Sequence, residues 1–182
     1  MTLEFQNLNK LIKHNLNNSE TQEAQDLFSL FKNVKFRGFF TKPQFYAVVM
    51  WKTPRPKNHY IINSEKSIKD ISKKILLADS ENEKVNLLTS LKGVSIPVAS
   101  AILTIIDPKN YGIIDIRVWK LLHLYKEVKT KPGGQGFNLN DYMIYLSILR
   151  KYAKQFKKSV RDIERTLFFY HKKIQRGNLY SK

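Results

Sequence analysis

The chain contains no cysteine, and this absence removes a large part of protein chemistry from consideration. Disulfide bonds, thiolate metal sites and cysteine-ligated iron–sulfur clusters are all excluded. The four histidines lie far apart in the sequence and do not show HExxH or a similar metal-ligand spacing. The sequence therefore predicts no metal site and no cofactor.

Long apolar runs are missing as well. No stretch approaches the length of a membrane-spanning helix, and the amino terminus lacks the apolar core of a signal peptide. A basic amphipathic helix with a clean apolar face, which would bind a membrane surface, is not evident either. We therefore expect an intracellular protein with no membrane partner.

Acidic residues are scarce relative to basic ones. The 182 residues include 32 Lys and Arg against 15 Asp and Glu, which gives a formal charge of +17 at pH 7. Phosphate polymers attract such an excess and release counterions when they bind, so nucleic acid is the favoured partner. A solvated basic face and an affinity for acidic membranes are the alternatives.

Helical patterns dominate what is present. With 42% hydrophobic residues, the chain can bury a substantial core as one compact domain or as two small lobes that share a core. Residues 3–16 and 20–34 are weaker helix candidates. Stronger ones begin where capping residues precede apolar positions at steps of three and four. These starts are Thr41, Ser64, Ser80, Asn138 or Asn140, and Ser159.

Two stretches interrupt this helical pattern. Pro54 and Pro56 prevent a helix from continuing through Thr53–His59, because each proline removes a donor and restricts the residue before it. The composition of Lys129–Gly136 predicts a flexible loop. The fold class that follows is all-α.

The stretch Leu91–Trp119 reads "LKGVSIPVASAILTIIDPKNYGIIDIRVW" and contains the most specific pattern of the chain. Gly93 is expected to end one helix and Pro97 to lie where the next begins. Val94 would point inward and lock the two helices together, while backbone N–H groups at the second helix start would face outward and bind a phosphate. The alternative is an ordinary αα-hairpin with a glycine cap.

This stretch resembles the helix-hairpin-helix and catalytic-aspartate signature of the base-excision DNA glycosylase superfamily that includes endonuclease III and 8-oxoguanine glycosylase. Leu91, Gly93, Val94, Ala99 and Asp115 fall on its positions at the matching spacing. The resemblance implies one all-α, glycosylase-like unit over residues 1–182, with the hairpin at about 81–106. It further implies a monomer, cytoplasmic and nucleoid-associated or nuclear, that excises a damaged or modified base from double-stranded DNA.

The chain departs from the family pattern at two positions. Ser95 occupies the second hairpin glycine, which a small residue tolerates if its backbone angles allow. Pro97 stands where bifunctional members carry a lysine nucleophile that attacks the sugar and enables strand cleavage. The resemblance therefore implies a monofunctional enzyme, unless another lysine such as Lys52, Lys92 or Lys120 reaches the sugar.

Asp115 is the candidate catalytic residue. Breaking an N-glycosidic bond builds positive charge on the sugar, which an ionised carboxylate stabilises while it orients or deprotonates a water molecule. The alternative is a helix N-cap whose oxygen accepts an N–H from Arg117 or Val118. The two roles are compatible, because capping would fix the carboxylate while one oxygen faces the substrate. A non-catalytic helix-hairpin-helix DNA-binding protein is the competing function.

The remaining candidates bind DNA or form the pocket for the flipped base, which needs stacking faces and polar groups. "RGFF", Arg37–Phe40, is a candidate wedge at the flipping site or an ordinary turn. The DNA contacts are assigned to Lys92, Gly93, Val94, Ser95, Pro97, Arg117 and Lys120. The base pocket is assigned to Trp51, Lys52, Arg55, Tyr170 and His171.

Overall fold

The computed structural model describes residues 4–16 and 19–179, and these residues form eleven helices and no strand. The all-α prediction is confirmed, and none of the helices described is long and apolar enough to cross a membrane. Residue 3, the predicted start of the first helix, lies outside the described residues. The helices are α1 (Leu8–Asn15), α2 (Gln22–Phe31), α3 (Val34–Arg37), α4 (Lys42–Lys52), α5 (Lys57–Ile61), α6 (Glu65–Leu77), α7 (Glu81–Thr89), α8 (Ile96–Ile106), α9 (Ile116–Leu124), α10 (Leu139–Phe156) and α11 (Val160–Ile174).

The chain divides into two compact units. The terminal unit comprises the described residues of segments 1–19 and 109–182, and the internal unit comprises residues 20–108. In the internal unit, α4 packs against α2, α5, α6 and α8, and α7 packs against α6 and α8. In the terminal unit, α11 packs against α1, α9 and α10.

The positive charge is distributed unevenly between the sequences of these two units. Segments 1–19 and 109–182 together contain 19 Lys and Arg against 6 Asp and Glu, an excess of 13. Residues 20–108 contain 13 basic against 9 acidic residues, an excess of only 4. Most of the electrostatic attraction for a polyanion therefore originates in the terminal unit.

The predicted helix starts are found in the structure, with Asn138 rather than Asn140 capping α10. Each cap has an extended backbone and a side-chain oxygen that accepts a backbone N–H of the first turn, which satisfies a donor that the helix itself leaves unpaired. In α4, α10 and α11 the third helical residue returns the bond and completes a capping box. The caps are Thr41, Ser64, Ser80, Asn138 and Ser159.

The proline-rich break is partly as predicted. Helix α4 ends at Lys52 and Thr53 is extended, but α5 begins at Lys57, so the last three residues of Thr53–His59 are helical. The prolines therefore interrupt the helix for four residues and redirect the chain instead of opening a long loop.

The glycine-rich segment is a loop, as its composition predicted, and it has contacts with neighbouring elements. The Trp119 indole donates to the carbonyl of Thr130 at 3.1 Å, and Lys131 pairs with the Asp141 carboxylate. Gly134 has φ +66°, and a Cβ there would lie 2.9 Å from the carbonyl oxygen of Ile116. The loop thus packs against the first turn of α9, next to Asp115.

Candidate functional site

The hairpin turn differs from the prediction in one respect. Helix α7 ends at Thr89 rather than at Gly93, and two tight turns follow, with Leu91 N–H donating to Leu88 and Val94 N–H to Leu91, both at 3.1 Å. Gly93 has φ +83°, the left-handed conformation that favours glycine. The glycine is therefore needed for the turn between the helices and not as a helix C-cap.

Helix α5 and the residues after it hold this turn in place. A Cβ on Gly93 would lie 2.9 Å from the Cβ of His59 and 2.9 Å from the ring of Tyr60. The buried side-chain amide of Asn63 forms two hydrogen bonds with the main chain of Lys92. Its Oδ1 accepts from the Lys92 N–H at 2.8 Å, and its Nδ2 donates to the Lys92 carbonyl at 3.0 Å. Sequence reasoning missed Asn63, because the pair is 29 residues apart.

The hairpin presents backbone donors, although fewer than expected. The N–H groups of Gly93, Ser95 and Ile96 have no acceptor within the described residues, whereas that of Val94 bonds to Leu91. Val94 is buried as predicted, so neither its side chain nor its N–H is available to a phosphate. Pro97 has no N–H to offer. Of the hairpin residues predicted to contact DNA, only Gly93 and Ser95 have a backbone N–H without an acceptor among the described residues.

Ser95 at the second glycine position creates no strain. It is the N-cap of α8, with φ −91° and ψ 170°, an extended conformation that any residue adopts. Ser95 and its neighbour Lys92 are exposed. Serine at this position is therefore compatible with the turn observed between α7 and α8.

Asp115 lies in the terminal unit and is the N-cap of α9. Its Oδ1 accepts from the Arg117 N–H at 2.9 Å, and the residue is half-buried rather than enclosed by the isoleucines before it. Its backbone is extended, as in other N-caps. The carboxylate is therefore fixed at a helix start by its cap hydrogen bond.

The apolar run before Asp115 is fixed by two tyrosines of α10. Tyr145 donates its hydroxyl to the carbonyl of Ile113 at 2.8 Å, and Tyr142 donates to Gly112 at 3.3 Å. Burial raises the pKa of Tyr145 well above its usual value, and the carboxylates of Glu164 and Asp115 raise it further. Tyr145 thus lies within the electrostatic field of both carboxylates and stays protonated.

Glu164 is a second carboxylate in this region, and sequence reasoning did not find it. It is buried on α11, pairs with Arg161 on the same helix, and its Cβ would lie 3.3 Å from a Cβ on Gly112. A buried ion pair of this kind is costly to desolvate and is stable only when its geometry is satisfied. Glu164 is therefore a positioned, ion-paired group rather than a second free acid.

His171 is the most unusual polar group of the terminal unit. It is only 7% exposed, and its Nδ1 has no hydrogen-bond partner among the described residues. Burial lowers its pKa to about 4, with the charges of Arg117 and Lys120 acting in the same direction and Asp115 opposing them. His171 is therefore a neutral, buried imidazole that interacts electrostatically with Asp115, Arg117 and Lys120.

Arg117 and Lys120 are both half-buried, and their charged ends contact the C-terminal segment of the chain. Lys120 donates its Nζ to the carbonyl of Leu179 at 2.7 Å. Arg117 bonds to the side chain of Gln175, and its guanidinium lies 5.7 Å from the centre of the Phe168 ring. A phosphate bound by either residue would have to share it with this segment.

The predicted base-pocket residues fall into both units. Trp51 and Lys52 are half-buried and Arg55 is exposed, all at the end of α4 or in the segment that follows in the internal unit. Tyr170 and His171 belong to α11 of the terminal unit. The Tyr170 hydroxyl donates to Glu4 at 3.0 Å, and this bond ties the N-terminal segment to α11. Of these five residues, only His171 combines burial with an unsatisfied polar atom.

Of the two alternatives for Arg37–Phe40, the structure supports the ordinary turn, because Gly38 ends α3 with φ +78°. Phe40 is fully buried, and Phe39 is half-buried beneath Arg37 and Lys69, whose charges lie 4.9 and 4.5 Å from its ring centre. The exposed aromatic side chain is that of Phe36, which is 97% exposed on α3.

No group of three or more His, Asp or Glu side chains within residues 4–16 and 19–179 is arranged to hold a metal ion. No protein-family model matches this sequence, and neither a curated protein nor a solved structure is similar enough to count as a match.

Proposed function

We propose that this chain is a DNA glycosylase that hydrolyses the N-glycosidic bond of a damaged or modified base, with Asp115 as its catalytic residue. The observation that carries the proposal is the environment of that carboxylate. Asp115 is held at the start of α9 by the Arg117 N–H, and a buried neutral His171 with an unpartnered Nδ1 lies in its electrostatic neighbourhood. Buried unsatisfied polar groups are rare, and groups with strongly shifted pKa values cluster at functional sites.

Asp115 would act by electrostatics and by orienting water. As the glycosidic bond lengthens, positive charge develops on the sugar, and a carboxylate already fixed in place stabilises it without reorganisation. The hydrogen bond from Arg117 fixes the side chain through Oδ1. Asp115 would then also orient or deprotonate the attacking water.

His171 would bind the extruded base after a local opening, because its Nδ1 is buried in the structure. A flipped base is recognised by hydrogen bonds to its edge and by stacking, and a neutral imidazole offers one donor and one acceptor. Because the pKa of His171 is lowered to about 4, the imidazole is uncharged at neutral pH. The base class that fits such a group is one that presents a polar edge rather than a charge.

The reaction would be monofunctional. Pro97 is the second residue of α8 and cannot act as an amine nucleophile. We therefore expect that borohydride will not trap the wild-type protein on damaged DNA. Efficient trapping would mean that a lysine such as Lys52, Lys92 or Lys120 forms a Schiff base with the sugar.

The competing function is a DNA-binding protein without catalysis. The observation that favours it is the cap itself, because a hydrogen bond from Arg117 to Asp115 is sufficient to explain an aspartate at this position. The excess positive charge fits both functions equally well. Only a measurement of product separates them.

The decisive experiment is base release from duplexes that carry uracil, 8-oxoguanine, alkylated purines or modified cytosines, with and without hot alkali. Asp115→Asn keeps the cap, because asparagine is an equally good N-cap, but removes the charge. We expect it to reduce base release by at least about a hundredfold, as expected when a preorganised electrostatic interaction is removed. Duplex affinity and thermal stability should stay near wild type.

The matched control is Asp107→Asn. Asp107 is also a half-buried aspartate at a helix end, but it is the C-cap of α8 and pairs with Lys35. Its substitution should leave base release unchanged. If Asp115→Asn lowers stability and leaves base release intact, the aspartate is only a cap. Absence of base release from the wild-type protein on every duplex, with salt-sensitive binding preserved, would favour the non-catalytic function.

A further inference from the structure

An open groove lies in the terminal unit where α10 ends and α11 begins. Its volume is about 510 Å³, and it is formed by the last turns of α10, the three-residue connection to α11, and the segment that starts at Lys109. We call it the α10–α11 groove. It is lined by Lys109, Asn110, Arg150, Ala153, Lys154, Lys157, Lys158, Ser159 and Val160.

The groove concentrates positive charge. Five of its nine lining residues are Lys or Arg, and the lining described contains no Asp or Glu. Its four lysines form no ion pair with any described residue, and Lys109, Lys154 and Lys157 are exposed. Neighbouring cations repel one another, which is unfavourable unless an anion binds among them.

The nearest acidic residue of α11 does not neutralise the groove. The Asp162 carboxylate accepts bonds from the N–H and hydroxyl of Ser159 and pairs with Arg165 at 2.8 Å. The hydrogen bonds to Ser159 and the charge of Arg165 lower the pKa of Asp162 against the effect of burial. The Asp162 carboxylate thus interacts with Ser159 and Arg165, and Asp162 is not one of the residues that line the groove.

Backbone hydrogen bonds fix the shape of the groove. Lys157 takes the left-handed conformation, with φ 53°, and the N–H of Lys158 donates to Ala153 at 3.0 Å. The Val160 N–H donates to the carbonyl of Lys109 at 3.1 Å, so this helix start is already satisfied by protein. An anion here would therefore be bound by side-chain cations rather than by helix amides.

The kind of anion follows from the geometry. Arg150 is oriented by a bond from Nε to the Asn110 carbonyl at 3.1 Å and by the Tyr111 ring 5.5 Å away, whereas the lysines are flexible point charges. No aromatic side chain lines the groove, so it offers no platform on which a base could stack. An open, cationic surface of this kind suits a charged backbone, which is contacted without regard to sequence.

We propose that the α10–α11 groove binds the phosphate backbone of a DNA strand and so extends the contact surface beyond the site of Asp115. This inference takes its ligand, DNA, from the proposed glycosylase function. The groove contacts phosphates, while any discrimination between bases takes place elsewhere. Removing its charge should weaken binding uniformly across sequences.

The test is a triple variant, Lys154→Gln, Lys157→Gln and Lys158→Gln. Glutamine removes the charge, keeps an unbranched stem with a polar end one atom shorter than that of lysine, and leaves the strain at Lys157 no worse than with lysine. The matched control is Lys66→Gln, Lys73→Gln and Lys74→Gln, three exposed lysines of α6 in the internal unit. Thermal unfolding of both variants establishes that each remains folded.

Binding is measured by fluorescence anisotropy on an undamaged DNA duplex from low to physiological salt. Each phosphate that the protein no longer neutralises should reduce the slope of log K against log salt by about 1, so the groove variant should show a slope smaller by about 2 to 3. Its affinity for the duplex at moderate salt should fall about tenfold or more, a larger decrease than that of the control variant. An equal decrease in the two variants would overturn the proposal, since it would reflect net charge alone.

Two other polyanions test the choice of ligand. A groove-dependent affinity that is greater for an RNA hairpin, or for vesicles rich in phosphatidylserine, than for the duplex would overturn the assignment to DNA. Base release separates this inference from the proposed function. At saturating protein the groove variant should excise at the wild-type rate. If neither the wild type nor the groove variant excises any base, but duplex affinity still depends on the groove lysines, the inference that the groove binds DNA is supported and the glycosylase proposal fails.

Discussion

The terminal and internal units differ in the kind of polar group that they bury. In the terminal unit the buried polar side chains are mostly ionisable, whereas every one described in the internal unit is neutral. The terminal unit buries Asp141, Arg161, Glu164, Arg165, Thr166 and His171. The internal unit buries Gln44, Asn63, Ser72, Ser100 and Thr104.

This difference separates two uses of buried polarity. Neutral groups such as Asn63 and Ser72 bond to nearby backbone and hold turns in place, at a modest desolvation cost. Buried charges cost more to desolvate and titrate with their surroundings, so they are kept where geometry or chemistry requires them. The comparison predicts that variants of the internal unit change mainly stability, and that variants of the terminal unit change chemistry and pH dependence.

Gly93→Ala should have the largest effect on stability. An alanine there must adopt φ +83° and place its Cβ 2.9 Å from both His59 and Tyr60. Left-handed strain and overpacking together should lower the free energy of unfolding by about 2–4 kcal/mol. Chemical denaturation measures this decrease.

Gly38→Ala is the matched control for Gly93→Ala. Gly38 has φ +78°, but a Cβ there meets nothing within 4 Å, so only the left-handed strain of about 1–2 kcal/mol should remain. If the two variants are equally destabilised, the close approach of α5 to the hairpin is not a constraint on the turn.

Asn63→Ala should have the next largest effect. It removes both hydrogen bonds to the Lys92 main chain and leaves that turn without its side-chain support. We expect a decrease of about 1–3 kcal/mol in unfolding free energy, together with weaker duplex binding if the hairpin contacts phosphate. Asn86→Ala, at an exposed position of α7, should change stability by less than about 0.5 kcal/mol. Unchanged stability in Asn63→Ala would show that the hairpin holds its shape unaided.

Local sequence predicted the features that depend on neighbouring residues. The caps at Ser64, Ser80 and Ser159 and the positive φ of Gly93 were all predictable, because an N-cap or a turn needs only residues within four positions. The same reasoning identified Asp115 as a helix start. Its position as N-cap of α9 is confirmed, while its catalytic role stays a prediction.

Features that depend on tertiary packing were not predictable. Asn63 lies 29 residues from Lys92, to whose main chain it forms hydrogen bonds. Helix α7 ends earlier than predicted because two tight turns follow it, and helix propensity does not predict these turns. The contacts of the glycine-rich loop Lys129–Gly136 were not predictable, because composition records the residues but not their partners, such as the Trp119 indole. The buried state of His171 and its electrostatic interaction with Asp115 are likewise products of packing between α9 and α11.

At neutral pH the smallest expected effect is that of His171, because its contribution to pH dependence appears only below pH 6.5. Its folded-state pKa of about 4 lies below the ordinary value of 6.5, because burial and the charges of Arg117 and Lys120 disfavour the protonated form. The unfolded chain therefore binds more protons than the folded one between these two pH values. Stability is unaffected by His171 above pH 6.5 and falls as the pH drops toward 4, by at most about 1.4 kcal/mol per pH unit.

His171→Leu removes this titration and should flatten the fall in thermal stability between pH 6.5 and pH 4, whatever its effect at pH 7. His123→Leu, at a half-buried position of α9, is the matched control for the loss of an imidazole from this unit. Hydrogen exchange, corrected for intrinsic rates, should show the acid-induced decrease in protection in α9 and α11 rather than in α4 and α8. Equal acid sensitivity in both units would show that buried acids, arginines and histidine are not what distinguishes the terminal unit, because the internal unit buries none of these among its described residues.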